Sequence, residues 1–184
     1  PSYQDNGDNT VTDMSSGLMW QQDPGDKMTY NAAVAGTEDF SLAGYDDWRL
    51  PTIKELYSLI LFSGTDPSSP KDTTAVPFIN TDYFDFRYGD TSTGERIIDS
   101  QYVSRTKYVS TTMRGDETVF GVNFADGRIK GYPIKPMRNQ PEGKEFFVQY
   151  VRGNPDYGNN IFNDNEDGTI TDSATGLMWS QSDS

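Results

Sequence analysis

Two short segments of the chain are rich in the oxygen ligands that calcium prefers. Asp5 and Asp8 belong to the sequence DNGD, and Asp164 and Asp167 belong to the sequence DNEDG. Carboxylate and amide oxygens at nearby positions are typical of calcium loops, and a chain of net charge −13 gains by binding a divalent cation. Polar turns that cap a hairpin have much the same sequence. Calcium binding at these four aspartates and a purely structural turn therefore both stay open.

The second of these segments departs from the EF-hand motif. With Asp167 and Gly168 at positions 5 and 6 of such a loop, Asn163 would stand at position 1 and Ala174 at position 12. The bidentate carboxylate that position 12 requires is therefore missing. A second acidic cluster, in the long loop, is no better a candidate for a calcium site than the aspartates above. Its members are Asp82, Asp85 and Asp90.

The residue inventory argues against catalysis. The chain contains no His and no Cys, so it lacks the commonest general base and the thiolate nucleophile. It also has no Gly-x-Ser-x-Gly nucleophile elbow and no phosphate-binding glycine-rich motif. Two carboxylates at the separation found in glycosidases could still converge without leaving a motif. We expect a protein that binds a ligand and is not an enzyme.

The best candidate for a ligand-binding region is the long stretch from residue 64 to residue 101. It is rich in Pro, Gly, Asp, Thr and aromatic residues without sustained periodicity, and loops of this length are often functional. Aromatic and polar side chains in it and just after it suit contact with a neutral glycan or a peptide. The alternative is that the rings fill the space beneath the loop. The candidate ligand-binding residues are Tyr83, Tyr88, Arg105 and Tyr108.

The charge of the chain disfavours several classes of partner. The sequence has 28 acidic and 15 basic side chains, and the resulting negative field repels nucleic acid and other polyanions. The longest basic neighbourhood, residues 128–138, holds only four spaced cations. We therefore expect no binding to DNA or heparin. No stretch approaches the roughly 20 apolar residues of a membrane-spanning helix, so membrane insertion is not expected either.

The pattern of turns and apolar residues predicts an α+β fold with an antiparallel sheet and two short helices. The first helix begins after Thr29 and ends near Gly36. The second begins with a capping box, in which Thr52 and Glu55 satisfy helix N–H groups reciprocally. A hairpin precedes the helices, and a meander follows the long loop. The predicted strands are Thr10–Asp13, Leu18–Gln21, Tyr108–Thr112, Thr118–Phe124, Arg128–Pro133 and Phe146–Arg152.

The sequence Trp48-Arg49-Leu50-Pro51-Thr52 (WRLPT) could be taken for part of an active site, but a structural role suits it better. Trp48 and Leu50 are large apolar groups in a stretch that Pro51 keeps extended. A charge among such groups needs a partner. We therefore predict that Arg49 forms an internal ion pair, with Glu55 or Asp47 as the acidic member.

One part of the sequence occurs twice. Eleven of the 18 residues in 5–22 recur in 164–181, displaced by 159 positions. Self-similarity at a fixed period is typical of repeated modules. We therefore predict one module in residues 1–153, a linker in 154–163 and the start of a second copy in 164–184. The apolar Leu177, Met178 and Trp179 of that copy need a host surface. We expect them either to be mobile or to pack as an added hairpin on this module or on a neighbouring chain.

Five segments of the chain, taken in order, carry a resemblance to a known family. They are residues 5–22 (DNGDNTVTDMSSGLMWQQ), 44–56 (GYDDWRLPTIKEL), 108–112 (YVSTT), 122–129 (VNFADGRI) and 147–153 (FVQYVRG). This series resembles the bacterial Lcl C-terminal domain family, which is named after a collagen-like adhesin and was long catalogued as a domain of unknown function. The resemblance implies a C-type-lectin-like fold, related to that of the formylglycine-generating enzyme superfamily.

The resemblance also implies a location but no reaction. Members of the family are secreted or displayed on the bacterial surface, frequently as tandem copies, so an extracellular, cell-surface or periplasmic location is expected. The sulfatase-activating branch of the superfamily works through cysteines, which this chain lacks. The expected function is an extracellular binding or adhesion module. The alternative is a structural spacer domain in a tandem-repeat surface protein.

Overall fold

A computed structural model of the chain describes residues 2–69, 72–112, 115–136 and 141–182. The chain divides into two compact units, Pro1–Gly153 and Asn154–Ser184. Both are built mostly from antiparallel sheet, and the first also holds two short helices. The strands are β1 (Tyr3–Asp5), β2 (Thr10–Asp13), β3 (Leu18–Gln21), β4 (Met28–Thr29), β5 (Gln101–Thr111), β6 (Glu117–Asn123), β7 (Arg128–Pro133), β8 (Glu145–Phe146), β9 (Val151–Arg152), β10 (Phe162–Asp164), β11 (Thr169–Asp172) and β12 (Leu177–Ser180). The helices are α1 (Tyr30–Gly36) and α2 (Ile53–Tyr57).

The first sheet joins the two ends of the first unit in the strand order β1-β2-β3-β9. The predicted hairpin strands agree with β2 and β3, and Gly17 in their turn has a φ of 72°, which glycine adopts without strain. Met19 pairs with Arg152 and Trp20 with Val151. The predicted hairpin therefore lies beside β9. Strand β1 was not predicted, because its sequence Tyr-Gln-Asp carries no strand pattern.

The closing segment, predicted as one strand, is divided between two sheets. Strand β8 pairs with β4, with Met28 opposite Phe146, whereas β9 pairs with β3. The residues between them are buried but outside both ladders. The prediction of one continuous strand was therefore wrong, because the chain passes from one sheet to another within five residues.

A three-stranded sheet, β5-β6-β7, forms the second main layer. Strand β7 has the predicted bounds, but β5 begins at Gln101, seven residues before the predicted start. The pairing of β5 with β6 is irregular between Val103 and Thr111. The alternation of apolar and polar residues is therefore interrupted, and the early start of β5 was not predicted. In β6 both faces are covered, since Val119 and Val122 are buried on opposite sides of the strand.

The two helices begin where the cap residues predict. The Thr29 side chain accepts a hydrogen bond from the Ala32 N–H at the start of α1. At α2 the Thr52 hydroxyl accepts from the Glu55 N–H, and the Glu55 carboxylate accepts from the Thr52 N–H at 2.7 Å. Apolar residues that follow the capping box are buried, namely Leu56, Leu59 and Ile60.

The prediction for Arg49 is confirmed, with Glu55 as its partner. The two guanidinium nitrogens donate to the two carboxylate oxygens at 2.9 and 2.6 Å. The Glu55 side chain is fully buried and the Arg49 side chain is 19% exposed. Asp47, the other candidate, instead accepts from Arg152 at 2.6 Å. Trp48 and Leu50 belong to the core cluster, together with Tyr30, Val103, Val119, Phe146 and Tyr150.

The described residues of the long loop between α2 and β5 pack against the rest of the unit without forming a long ladder. Its first part closes on itself through a bridge between Thr65 and Val76, and the Phe78 N–H donates to the Phe124 carbonyl at 2.7 Å.

Within the described residues, no helix combines the length and apolar character needed to cross a membrane.

The second unit is a three-stranded sheet in the order β10-β11-β12. Its side-chain hydrogen bonds are local, for example from Asn165 to Thr169 and Thr171. The apolar residues of β12 are exposed, with Leu177 at 53%, Met178 at 64% and Trp179 at 55%.

Candidate functional site

One cleft of the first unit lies at the paired strands β4 and β8, and residues 87–95 of the long loop contribute to its walls. It has a volume of about 450 Å³. An adjoining cavity of about 420 Å³ shares Lys27, Thr93, Glu95 and Glu145 with it. These volumes fall within the size range of small-ligand sites. The residues that define the cleft are Asp26, Lys27, Arg87, Tyr88, Asp90, Thr93, Glu95, Glu145 and Phe147.

Lys27 is held on one side of the cleft by an acid and an aromatic ring. Its ammonium donates to both carboxylate oxygens of Glu95, at 2.6 and 2.7 Å. The same ammonium lies 5.1 Å from the centroid of the Phe147 ring, a distance typical of cation–π contact. Because the Lys27 side chain is only 16% exposed, these contacts fix the position of the charge.

Arg87 brings a second cation to the same ring. The centre of its guanidinium lies 5.4 Å from the Phe147 centroid. The guanidinium also donates to the Asp23 carboxylate at 3.0 Å and to the Gly25 carbonyl at 2.5 Å. Phe147 therefore has two cations within cation–π distance, and each cation has an acidic partner.

The loop above the cleft is shaped by Asp90 and Glu95. The Asp90 carboxylate accepts from the Ser92 hydroxyl at 2.6 Å and from the Ser92 N–H at 2.9 Å, and the side-chain contact contributes most to the lowered pKa of Asp90. Glu95 accepts from the Asp90 N–H at 2.8 Å as well as from Lys27. At Gly89 a Cβ atom would lie 2.0 Å from the Arg96 carbonyl oxygen, so only glycine fits this close approach.

The adjoining cavity adds a cation with no ion-pair partner among the described residues. Lys144 lies over the rings of Tyr132 and Phe146, at 5.2 and 5.7 Å, and burial lowers the pKa of its ammonium. Asp99, on the same cavity wall, is bonded to Arg96 at 2.7 Å. Burial alone would raise the pKa of Asp99, but the hydrogen bonds from Arg96 outweigh it and the pKa falls to about 2.

The four residues predicted to bind a ligand lie in separate places. Tyr88 lines the cleft, packed edge-on against Phe86 at 4.8 Å, and burial raises the pKa of its hydroxyl. Tyr83 packs against the Tyr3 ring at 5.5 Å. Arg105 has an exposed side chain, and its N–H donates to the Pro51 carbonyl.

Tyr108, the fourth of these residues, lines a separate groove of about 380 Å³ on the β5-β6-β7 sheet. It is 43% exposed, and its ring lies edge-on to Phe120 at 6.3 Å. The roles of all four residues stay predictions. Of the four, only Tyr88 lines the cleft.

The aspartates of the proposed calcium loops are engaged in local hydrogen bonds. Asp5 accepts from the Gly7 N–H and Asp8 from the Thr10 hydroxyl, at 2.8 and 2.6 Å. Asp164 accepts from the Glu166 N–H, and Asp167 from both the N–H and the hydroxyl of Thr169. Within the described part of the chain, no three acidic side chains are grouped where they could hold a metal ion. Calcium binding by these residues stays a prediction.

Reasoning from sequence did not select Lys27, Glu95 or Phe147. Phe147 follows directly after Phe146 in an apolar run, so nothing local distinguishes a core ring from one that lines a cleft. Lys27 and Glu95 are 68 positions apart, and their contact depends on how the long loop folds back. The one usable signal was the composition of the loop itself, which contains Arg87, Tyr88 and Glu95.

Comparison with protein families gave one match. The sequence model of the family described as "Lcl C-terminal domain" matches residues 9–152, which include every residue that defines the cleft. Comparison with curated proteins and with solved structures gave no match.

Proposed function

The chain belongs to the Lcl C-terminal domain family, and from this premise we propose that it is a non-catalytic binding module displayed outside a bacterial cell. In this proposal its cleft recognises a neutral glycan or a peptide. We further propose a C-type-lectin-like fold, related to the formylglycine-generating enzyme superfamily. Support comes from the antiparallel sheets, the two short helices and the pairing of the first and last parts of the module.

The observation that carries the proposal is the mixture of groups around the Phe147 ring. Phe147 itself is buried, with 5% of its surface exposed, and its ring positions Lys27 and Arg87, whose charged donors line the cleft. Carboxylates on the same walls, such as Glu145, offer acceptors for hydroxyl or amide groups. Glycans and peptides carry donor and acceptor groups close to apolar ones. Orientation in such sites comes from a few polar groups placed in a mostly preformed pocket.

The charge balance of the cleft argues for a neutral ligand over a polyanion. Its walls carry two cations, Lys27 and Arg87, and four carboxylates, those of Asp26, Asp90, Glu95 and Glu145. Binding of sulfated glycans or nucleic acid draws on several unpaired basic groups on one face. Both cations here are already bonded to acids. We propose that neither heparin nor nucleic acid is a partner.

A structural spacer domain is the second candidate function. It is favoured by the hairpin that recurs in residues 162–180 with the registers of residues 3–21, because repetition of a fold element needs no ligand. In that case the ion pairs of the cleft would serve only to hold the long loop in place.

Binding to a glycan array and to a peptide library distinguishes the two functions. The Lys27→Met variant keeps the apolar stem and removes the charge, so we expect at least a tenfold loss of affinity for any ligand found. Lys107→Met is the matched control, because Lys107 also contacts an acid, Glu117, and an aromatic ring, Tyr30, but lies outside the cleft.

Circular dichroism of both variants must show an intact fold. Absence of any ligand from both screens would favour the spacer function. Equal loss of binding in both variants would place the site elsewhere. Retention on heparin at physiological salt would contradict the preference for neutral ligands.

A further inference from the structure

The two hairpin sheets of the chain have the same internal register. Val11 pairs with Trp20 in the first, and Ile170 pairs with Trp179 in the second. The turn hydrogen bonds also correspond, since Asp172 accepts from the Ala174 N–H as Asp13 does from the Ser15 N–H. Each residue of the second sheet therefore has a structural counterpart 159 positions earlier.

In the first sheet the outer edge of β3 is occupied by β9. The Gln21 N–H donates to the Tyr150 carbonyl at 3.0 Å, and Trp20 stands opposite Val151. The apolar side chains of the sheet, Val11, Leu18 and Trp20, are all 0% exposed. Strand β3 is thus covered on its edge and on its apolar face.

In the second sheet the corresponding edge carries no described strand, and the apolar side chains of the corresponding face are exposed. Strand β12 pairs with β11 and with no other strand that the structure describes. The counterparts of Leu18 and Trp20, Leu177 and Trp179, are more than half exposed. Phe162, Ile170 and Trp179 line an apolar cavity of about 240 Å³. An exposed strand edge beside exposed aromatic and aliphatic groups is a site for strand addition.

The closing strand of the first unit is already bonded on both sides. One side of β9 faces β3. On its other side the Arg49 N–H donates to the Val151 carbonyl at 2.9 Å, and the Val151 N–H donates to the Arg49 carbonyl at 3.0 Å. Freeing this strand would break both ladders, so the strand that fits β12 must come from elsewhere.

We propose that the sheet of residues 162–180 is an acceptor for the closing strand of a further module of the same family. The incoming strand has the sequence character of Tyr150-Val151-Arg152 and runs antiparallel to β12. Its valine stands opposite Trp179 and its arginine opposite Met178, as β9 does with β3. Ser180, the counterpart of Gln21, donates its N–H to the incoming tyrosine carbonyl. This proposal is independent of the ligand that the cleft binds.

A peptide with the sequence of residues 145–153, capped at both ends, tests the proposal by NMR titration of the full chain. The chain has three tryptophans, and the variant Trp179→Phe assigns the indole signal of interest. We expect a saturable shift of the Trp179 indole, with Trp20 and Trp48 unchanged. Amide exchange at Ser180 should slow at least tenfold. The control is the same peptide with Val151→Asp, which places a charge opposite Trp179.

Weak affinity is overcome by joining the same peptide to the chain after residue 184 through a flexible Gly/Ser linker, which raises its effective concentration to the millimolar range. Protection of Trp179 in either format supports the proposal. No shift in either format overturns it, as does an equal shift with the control peptide. A shift of Trp20 in place of Trp179 also overturns it, because the peptide would then be displacing β9. Protection of Trp179 before any peptide is added would show that the sheet needs no further module.

Discussion

The hairpins of residues 3–21 and 162–180 share their registers and turn bonds but differ in the burial of their apolar side chains. Trp20 is 0% exposed and Trp179 is 55% exposed. The first hairpin lies beside a strand that follows it by about 130 residues, with Trp20 opposite Val151, whereas the second has no described strand on that edge. The same turn hydrogen bonds accompany both hairpins, and a distant strand contributes to the burial of the first.

The sharpest test of this difference is the matched pair Trp20→Ala and Trp179→Ala. Removing a fully buried Trp leaves a large cavity and should lower the free energy of unfolding of the first unit by about 4 kcal/mol. Removing the exposed Trp179 should change that free energy by less than about 0.5 kcal/mol. Urea unfolding followed by circular dichroism measures both. Similar effects of the two changes would mean that Trp179 is covered in solution.

The second test removes the ion pair beside the closing strand. Arg49→Ala leaves the buried Glu55 carboxylate without its main partner, and we expect a loss of about 3 kcal/mol, toward the low end of the range since Arg49 is partly exposed. Lys107→Ala, which breaks an exposed pair with Glu117, should cost less than about 1 kcal/mol. Thermal unfolding compares them. Wild-type stability of Arg49→Ala together with lost ligand binding would reassign Arg49 to a functional site.

The smallest expected effect concerns acid and the second hairpin. The pKa of Asp172 falls to about 2, first through the hydrogen bond from the Ile161 N–H and also through those from Asn160, Thr175 and Ala174. An aspartate in an unfolded chain has a pKa near 3.9. Its contribution is therefore full above about pH 4 and is lost as the pH falls through about 2.

NMR signals of residues 160–175 should report this loss between pH 5 and pH 1.5. Asp172→Asn should remove that pH dependence, because the amide does not titrate. A hairpin that keeps its signals unchanged down to pH 1.5 would show that Asp172 does not hold it together.

Local features were predictable from the sequence to the extent that they depend on neighbouring residues. The bounds of β2, β3 and β7 and the capping box at Thr52 follow from turn residues, alternation and cap chemistry. The Arg49–Glu55 pair was also predictable, because the two residues are six positions apart and only one helix start lies between them. These contacts depend on few degrees of freedom.

The cleft and the sheet crossings were not predictable in the same way. Strand β4 has only two residues, and its partner β8 follows it by more than 100 positions. The cations that flank Phe147 come from two different segments, before β4 and within the long loop. No local pattern records a contact that exists only after several segments have packed. The sequence could indicate the region of the site but not its geometry.

The pairing of β1, β2, β3 and β9 also has a mechanical consequence. Tyr3, Asp13 and Leu18 lie in one row across the sheet, and Arg152 leaves the sheet beside the same row. A stretching force on the two ends of the module would therefore separate the strands from that end. The hydrogen bonds would break one after another, instead of all at once as in a sheet loaded in shear. Each opened module would release roughly 3.4 Å of chain per residue. Lengthening under load would limit the tension that the module transmits.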